Sequence, residues 1–484
     1  MFKKSNAKCI SILRVKELFE KSNDIVFRVI NVNDKVKIQL VFVDGLIDQS
    51  KLSEFVLQPL SVSERIINVS SDKELVKKIR EGYIYFPGIK ESNDFEEITT
   101  DLLLGSAVII IESLGIAFLF DVKGFDKRAV SQPTEEISLK GSKEGFVETI
   151  RVNTAIVRRK LRTSDLVIEH TTVGSVSKTI ICVVYIKGLV ENKLVEEIIR
   201  RLDSIETEQV MFTNVIEQEL IDHRNTPFPQ VESTEKPTKF CSSLLEGRVG
   251  IMIDGIPFTM IIPTSVVNFF QTPDDYDFNY IVMSVIRLLR YGLAIMALIL
   301  PAFYVAVTGF HPQIIPEKLV LAISVNEAAI PIPIYLECFL MLIAFQTLME
   351  AGARIWSSIG SMVSLVGALI VGEAAIGANY VSPGVLVVVA AASIANFTIP
   401  NKDFAFALWL WGFIVLILSS IIGLYGLVIG LLLLLHHLCQ IEILGEPYLL
   451  PFVSSDGKNL WDTLITSKDA FKKKKTVTEQ IKKL

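Results

Sequence analysis

The segment "VFVDGLID" (residues 41–48) is an apolar, β-branched run stopped by a glycine, and it has a double in "VYIKGLVE" (184–191). Each reads as a strand and its closing turn, and each is followed by a helical pattern: "QSKLSEFVLQPL" after the first, "NKLVEEIIRRLDSI" after the second. Each also has a later companion. "AVIIIESLGIAFLFDV" (107–122) and "RVGIMIDGIPFTMII" (248–262) both read as two strands around a tight glycine turn. Gly45 to Gly115 spans 70 residues and Gly188 to Gly255 spans 67. The same order at nearly the same spacing predicts one α/β module present twice.

Between the copies, "GFVETIRVNTAIVRRKLRTSDL" (145–166) predicts a helix with Val147, Ile150, Ala155, Ile156 and Leu161 on one stripe. Arg151, Arg158, Arg159 and Lys160 crowd its other positions. Two readings stay open for that basic face: a solvated surface, or one that meets acidic surfaces or anionic lipid.

Outward from the modules the composition changes. Of 484 residues, those before about 284 are charged and polar, whereas 291–436 hold several apolar runs near bilayer length. The fold class expected is therefore an α+β cytosolic region of two related modules followed by a polytopic α-helical membrane domain. The expected boundaries are 1–140 for module 1, 141–284 for the linking helix and module 2, 285–452 for a membrane domain of four to six spans, and 453–484 for a basic disordered tail. The start has no run resembling a signal-peptide core, so the modules are expected in the cytosol.

Chemistry is not indicated. The five cysteines form no CxxC pair, the five histidines have no metal-ligand spacing, and no phosphate-binding or nucleophile motif occurs. No enzyme, cofactor or metal is expected.

The membrane runs are unequal. Arg287 and Arg290 precede the first, 291–310, as basic cytoplasmic flanks, and Pro301 lies in its middle. Residues 312–333 are interrupted by Glu317, Lys318, Asn326 and Glu327, which suits an interfacial or re-entrant piece. Residues 334–355, with Glu337 near the start, are the second span; 359–377 and 382–400 are the third and fourth. Residues 404–438 read either as one span with an interfacial lead-in at Trp409 and Trp411, or as two short spans hinged near Gly423 and Gly426. At 1.5 Å per residue, that segment is about 50 Å long, which is long for one crossing and short for two.

The third span, "IGSMVSLVGALIVGEAAIG", carries the candidate site. Gly360, Ser364, Gly367, Val371 and Ala374 share one helical face and suit close helix packing. Roughly opposite lie Met362, Val366, Leu369 and Glu373. A carboxylate at mid-membrane costs about 3 kcal/mol, so Glu373 should face protein or water. Repeated around a ring, these residues would line an apolar constriction with an acidic mouth, which favours cations. The plainer reading keeps Glu373 near headgroup water or paired on a neighbouring helix; Glu327 and Glu337 read more simply as packed or interfacial acids.

Many short stretches occur together in order: "VDGLID" with "QPL", "GFVETIRVNTAIVRRKLRTSDL", "SKTIICVVYIKGLV", "PFPQVESTEKP" (227–237) with "LLEGRVGIMIDGIPF" (244–258), then "LPAFYVA", "FHPQIIP", "MEAGARI", "VGALIVGEAAI", "VSPGVLVVVA", "ANFTIP" and "GEPYLLPF". Over residues 24–452 the chain resembles the A subunit of the GerA-type nutrient germination receptors of endospore-forming bacteria. It departs from that pattern at "KGSKEGF" (140–146), at Asn326 beside Glu327, and at Glu373, where a glutamine is usual. The resemblance implies a subunit in the inner spore membrane with the soluble region on the core side. It implies a transporter-like B subunit and a C-subunit lipoprotein as partners, homo-oligomerisation, and channel formation releasing cations when nutrient is sensed. The alternative it leaves is a non-conducting scaffold relaying the state of the B subunit. No nucleic acid partner is implied.

Overall fold

The computed structural model describes residues 10–124, 141–354 and 372–452. They fall into two compact units, one built mainly from residues before 264 and one mainly from those after.

The first unit holds two five-stranded sheets. In module 1, α1 (Ile12–Leu18) leads into β1 (Ile25–Asn31) and β2 (Lys37–Val43), α2 (Asp72–Arg80) precedes β3 (Ile89–Ser92), and α3 (Phe95–Leu103) precedes β4 (Ala107–Ile111) and β5 (Ile116–Phe120). In module 2, α4 (Ile150–Lys160) leads into β6 (Leu166–Val173) and β7 (Thr179–Ile186). Then come α5 (Asn192–Asp203), α6 (Thr213–Leu220), β8 (Glu232–Thr234), α7 (Pro237–Leu245), β9 (Val249–Ile253) and β10 (Thr259–Ile262). The strand orders are β1-β2-β4-β5-β3 and β6-β7-β9-β10-β8, the same topology twice. The duplication expected from the glycine spacing is thus present as two equivalent sheets.

The central strands of module 1 are mostly apolar because both faces of their sheet are covered. Ile38, Leu40, Ile109, Phe118 and Phe120 enter one core with α2, while Val41, Val43, Val108, Ile110 and Leu119 enter another with α1 and α3. Alternate residues of a strand point to opposite faces, so each strand serves both cores. The turn glycines match as well: Gly45 and Gly188 have φ of +82° and +79°, and Gly115 and Gly255 have +63° and +85°.

The linking helix is shorter than the sequence predicts, covering 150–160 only. Its basic residues are paired with acids rather than left as a bare face. Arg158 is fully buried on Asp24, Arg151 pairs with Asp44 at 2.9 Å, and Arg159 and Lys160 both reach Glu144. Close packing of Ala155 on the Gly45 turn brings Arg151 and Arg158 within reach of Asp44 and Asp24 of module 1.

In the second unit, α8 (Tyr280–Phe310) runs unbroken through Pro301. It is followed by α9 (Glu317–Ala328), α10 (Ile334–Arg354), a helical stretch at 372–377, α11 (Pro383–Asn396), α12 (Lys402–Ile422) and α13 (Leu424–Gln440), and a short hairpin of β11 (Glu442–Ile443) and β12 (Glu446–Pro447). Among the described residues, Tyr280–Phe310, Ile334–Gly352 and Lys402–Ile422 are long and apolar enough to cross a membrane, and α11 and α13 are shorter apolar helices. α8 packs against α10, α11, α12 and α13. Large apolar side chains such as Val285, Phe303, Ile417 and Leu432 remain exposed, as a lipid-facing surface requires. The segment 404–438 takes the two-helix form, breaking at Gly423 with φ +62°.

Candidate functional site

The predicted pore face lies mostly outside the described residues: Met362, Val366 and Leu369, and likewise Gly360, Ser364, Gly367 and Val371 of the packing face. Glu373 and Ala374 are described, on the helical stretch 372–377, and both are exposed. A Cβ on Gly372 would stand 3.4 Å from the Leu386 side chain, ordinary contact, so this stretch lies against α11.

Close helix packing is seen at the last helix pair. After Gly423, α13 doubles back along α12 so tightly that a Cβ on Gly426 would sit 2.0 Å from the Leu418 carbonyl oxygen. One on Gly430 would sit 3.1 Å from Val415. Of the two glycines that the sequence places near a hinge, Gly423 is the hinge and Gly426 is a contact surface.

At the base of these helices is a polar and aromatic collar. Asp275, wholly buried, accepts from Arg287 Nη2 at 3.1 Å and from Arg290 Nη1 at 3.0 Å, and from the Thr272 hydroxyl at 2.8 Å. The two arginines expected as a basic flank are therefore spent on an internal carboxylate, and Arg287 is itself buried. The reason is local: the 273–276 turn at the foot of α8 places Asp275 beside the helix's first turns.

Beside this cluster, Phe269 stacks on Phe404 with centroids 5.4 Å apart, and Phe404 also meets Phe228 and Phe270. Phe228 and Trp411 both lie against His437, whose Nε2 is 2.8 Å from the Thr226 hydroxyl. Tyr448 donates to the Pro229 carbonyl at 2.7 Å; burial pushes its phenol up, so it stays a neutral donor. In this way "PFPQ" and "GEPYLLPF", 219 positions apart, are held together. Sequence reasoning missed the collar; a signal existed in the Pro-aromatic composition of both segments, but nothing in it tied them to one another.

Among the described residues no group of three or more His, Cys, Asp or Glu side chains is placed to hold a metal. The fold and this site define a polytopic membrane protein with a duplicated α/β region, organised around helix packing and a buried collar.

The model of the Bacillus/Clostridium GerA spore germination protein family matches residues 14–478, and the chain belongs to that family. It is 33% identical to spore germination protein KA of Bacillus subtilis (strain 168), over 94% of this chain and 83% of that one. It is 31% identical to spore germination protein B1 of the same organism, over 95% of both chains. A crystal structure of the N-terminal domain of the A subunit of the Bacillus megaterium spore germinant receptor GerK3 matches with 28% identity, covering 54% of this chain and 96% of that one, at a TM-score of 0.42.

Proposed function

We propose that this chain is the channel-forming A-type subunit of a nutrient-responsive spore germination receptor, releasing cations when nutrient is sensed. The observation carrying the proposal is Glu373, an exposed carboxylate in the apolar region of a GerA-family chain. An acid there is costly against lipid and inexpensive against water, and a ring of such acids at a constriction selects cations. Met362, Val366 and Leu369 would line the constriction, with Gly360, Ser364, Gly367 and Ala374 packing neighbouring helices. The subunit would work as a homo-oligomer with a transporter-like B subunit and a lipoprotein C subunit. Its place would be the inner spore membrane, with the duplicated modules on the core side.

The deciding measurement is the mass of the full chain in nanodiscs, alone and with its B and C partners. A closed ring of identical chains supports the channel. Single cysteines at 362, 366 and 369 should then react with impermeant thiol reagents, and Glu373→Gln should lower cation conductance. A monomer in the complete complex, or uniform protection of those cysteines, sinks the channel and leaves a scaffold that relays the state of the B subunit.

A further inference from the structure

The proline inside α8 frees a backbone group. Pro301 has no N–H, so the carbonyl of Ala297, four residues earlier, loses its helical partner, although the helix continues to Phe310. In the hydrocarbon of a membrane, a freed backbone acceptor needs another donor, from a side chain, a neighbouring helix or water.

A cavity of about 20 Å³ lies at this point, where α8, α10, α11 and α12 pack together. Ala297 and Pro301 line it from α8, and Ser393 and Asn396 line it from the last turn of α11. Leu298, Leu342 and Leu408 supply apolar wall. The Oδ1 of Asn396 is buried and accepts no hydrogen bond among the described residues. The two residues that each bear an acceptor in need of a donor therefore border one cavity.

We infer that this cavity is a binding site for one water molecule, which donates to Asn396 Oδ1 and to the Ala297 carbonyl. A water needs about 10–15 Å³ and at least two polar partners, and the cavity meets both conditions. Its two O–H groups match the two acceptors. No Asp or Glu lines the cavity, so a metal ion there would have no counter-charge. The water takes the place of the hydrogen bond that Pro301 removes and ties α8 to the end of α11. A link of this kind re-forms when the helices shift. Pro301 is thus the place where α8 can bend against α11 without leaving its carbonyl unpaired. The inference does not depend on conduction through Glu373.

The test is X-ray hydroxyl-radical labelling of the full chain in nanodiscs, read by mass spectrometry. Radiolysis of a bound water oxidises the side chains beside it, whereas side chains surrounded by lipid are spared. Leu342, on the cavity wall and only 7% exposed, should therefore be oxidised faster than Ile417, which is 49% exposed on α12. Asn396→Leu removes one acceptor and fills the space, and should bring the Leu342 rate down to that of Ile417. Pro301→Ala returns a backbone N–H to the Ala297 carbonyl and should also lower the Leu342 rate. It carries the comparison if Asn396→Leu does not fold. Oxidation of Leu342 no faster than that of Ile417 in the native chain, or a Leu342 rate unchanged in a folded variant, overturns the site.

Discussion

The guanidinium of Arg158 grips the carboxylate of Asp24 with two bonds, Nε to Oδ2 at 2.7 Å and Nη2 to Oδ1 at 2.8 Å, across 134 positions of sequence. Their side chains are 0% and 4% exposed. A third arm, Nη1, donates to the Leu166 carbonyl at 2.9 Å, so one side chain joins the mouth of β1 to the first residue of β6. The seam between the two modules is built on this contact.

Cutting either half of it should be severe. Arg158→Ala or Asp24→Ala leaves a buried, unpaired charge or its empty cradle, and each should cost about 3–5 kcal/mol of stability. Arg158→Lys should not rescue, because an ammonium cannot reproduce the fork. Thermal unfolding of the full chain checks both; a loss under about 1 kcal/mol in either alanine variant would mean the pair is dispensable.

The two turn glycines should answer differently to alanine. At Gly188 nothing lies within 4 Å of a new Cβ, so the substitution meets only the left-handed backbone penalty of about 1–2 kcal/mol. At Gly45 the same methyl would stand 2.9 Å from both the Ala155 Cβ and the Arg151 carbonyl oxygen. Overpacking adds about 1–3 kcal/mol, so Gly45→Ala should unfold at a clearly lower temperature than Gly188→Ala.

In the membrane unit the contrast is between Gly426 and Gly412. A methyl on Gly426 meets the Leu418 backbone at 2.0 Å and forces α12 and α13 apart, whereas one on Gly412 meets nothing within 4 Å. Gly426→Ala should lower the yield of monodisperse protein. Gly412→Ala should be neutral or gain up to about 1 kcal/mol from helix propensity.

Acid should weaken the soluble modules in two steps. Desolvation of the partly exposed His170 ring lowers its pKa below the ordinary 6.5, against the opposing pull of Asp24 and Asp44. The unfolded chain takes up that proton first, and the His170 contribution, complete above about 6.5, is lost as pH falls below it. Glu197 behaves as a depressed carboxylate. Hydrogen bonds from Arg200 and then Arg201 hold it at about 2 against an ordinary 4.5. Its contribution is complete above 4.5 and disappears as pH falls towards about 2. His170→Gln should flatten the first step and Glu197→Gln the second, in unfolding midpoints measured across pH.

Glycines and strand periodicity made β2, β4, β5, β7, β9 and β10 readable, and with them the duplication. The edge strand β3, "IKES", has no apolar alternation; it is a strand because it pairs with β5 from Ile89↔Phe120 to Ser92↔Ala117. Local pattern cannot supply that. The basic residues of α4 were visible, but their acids lie as far off as Asp24, and distance along the chain hides a fixed pair. In the membrane unit, length and hydropathy located α8, α10 and α12, while Glu337 gave no hint that one of its oxygens would cap α11.

The Gly45 and Gly188 turns close in the same way, with Asp44 N–H donating to the Asp24 carbonyl and Lys187 N–H to the Asp165 carbonyl, both at 2.8 Å. Yet the residue before the glycine is an acid in one copy and a base in the other. Asp44 meets Arg151; a lysine in its place would set two cations face to face. The duplication is therefore directional: each copy has become fit for one place in the line, and a chain built with its halves exchanged would keep both sheets and lose the joint between them.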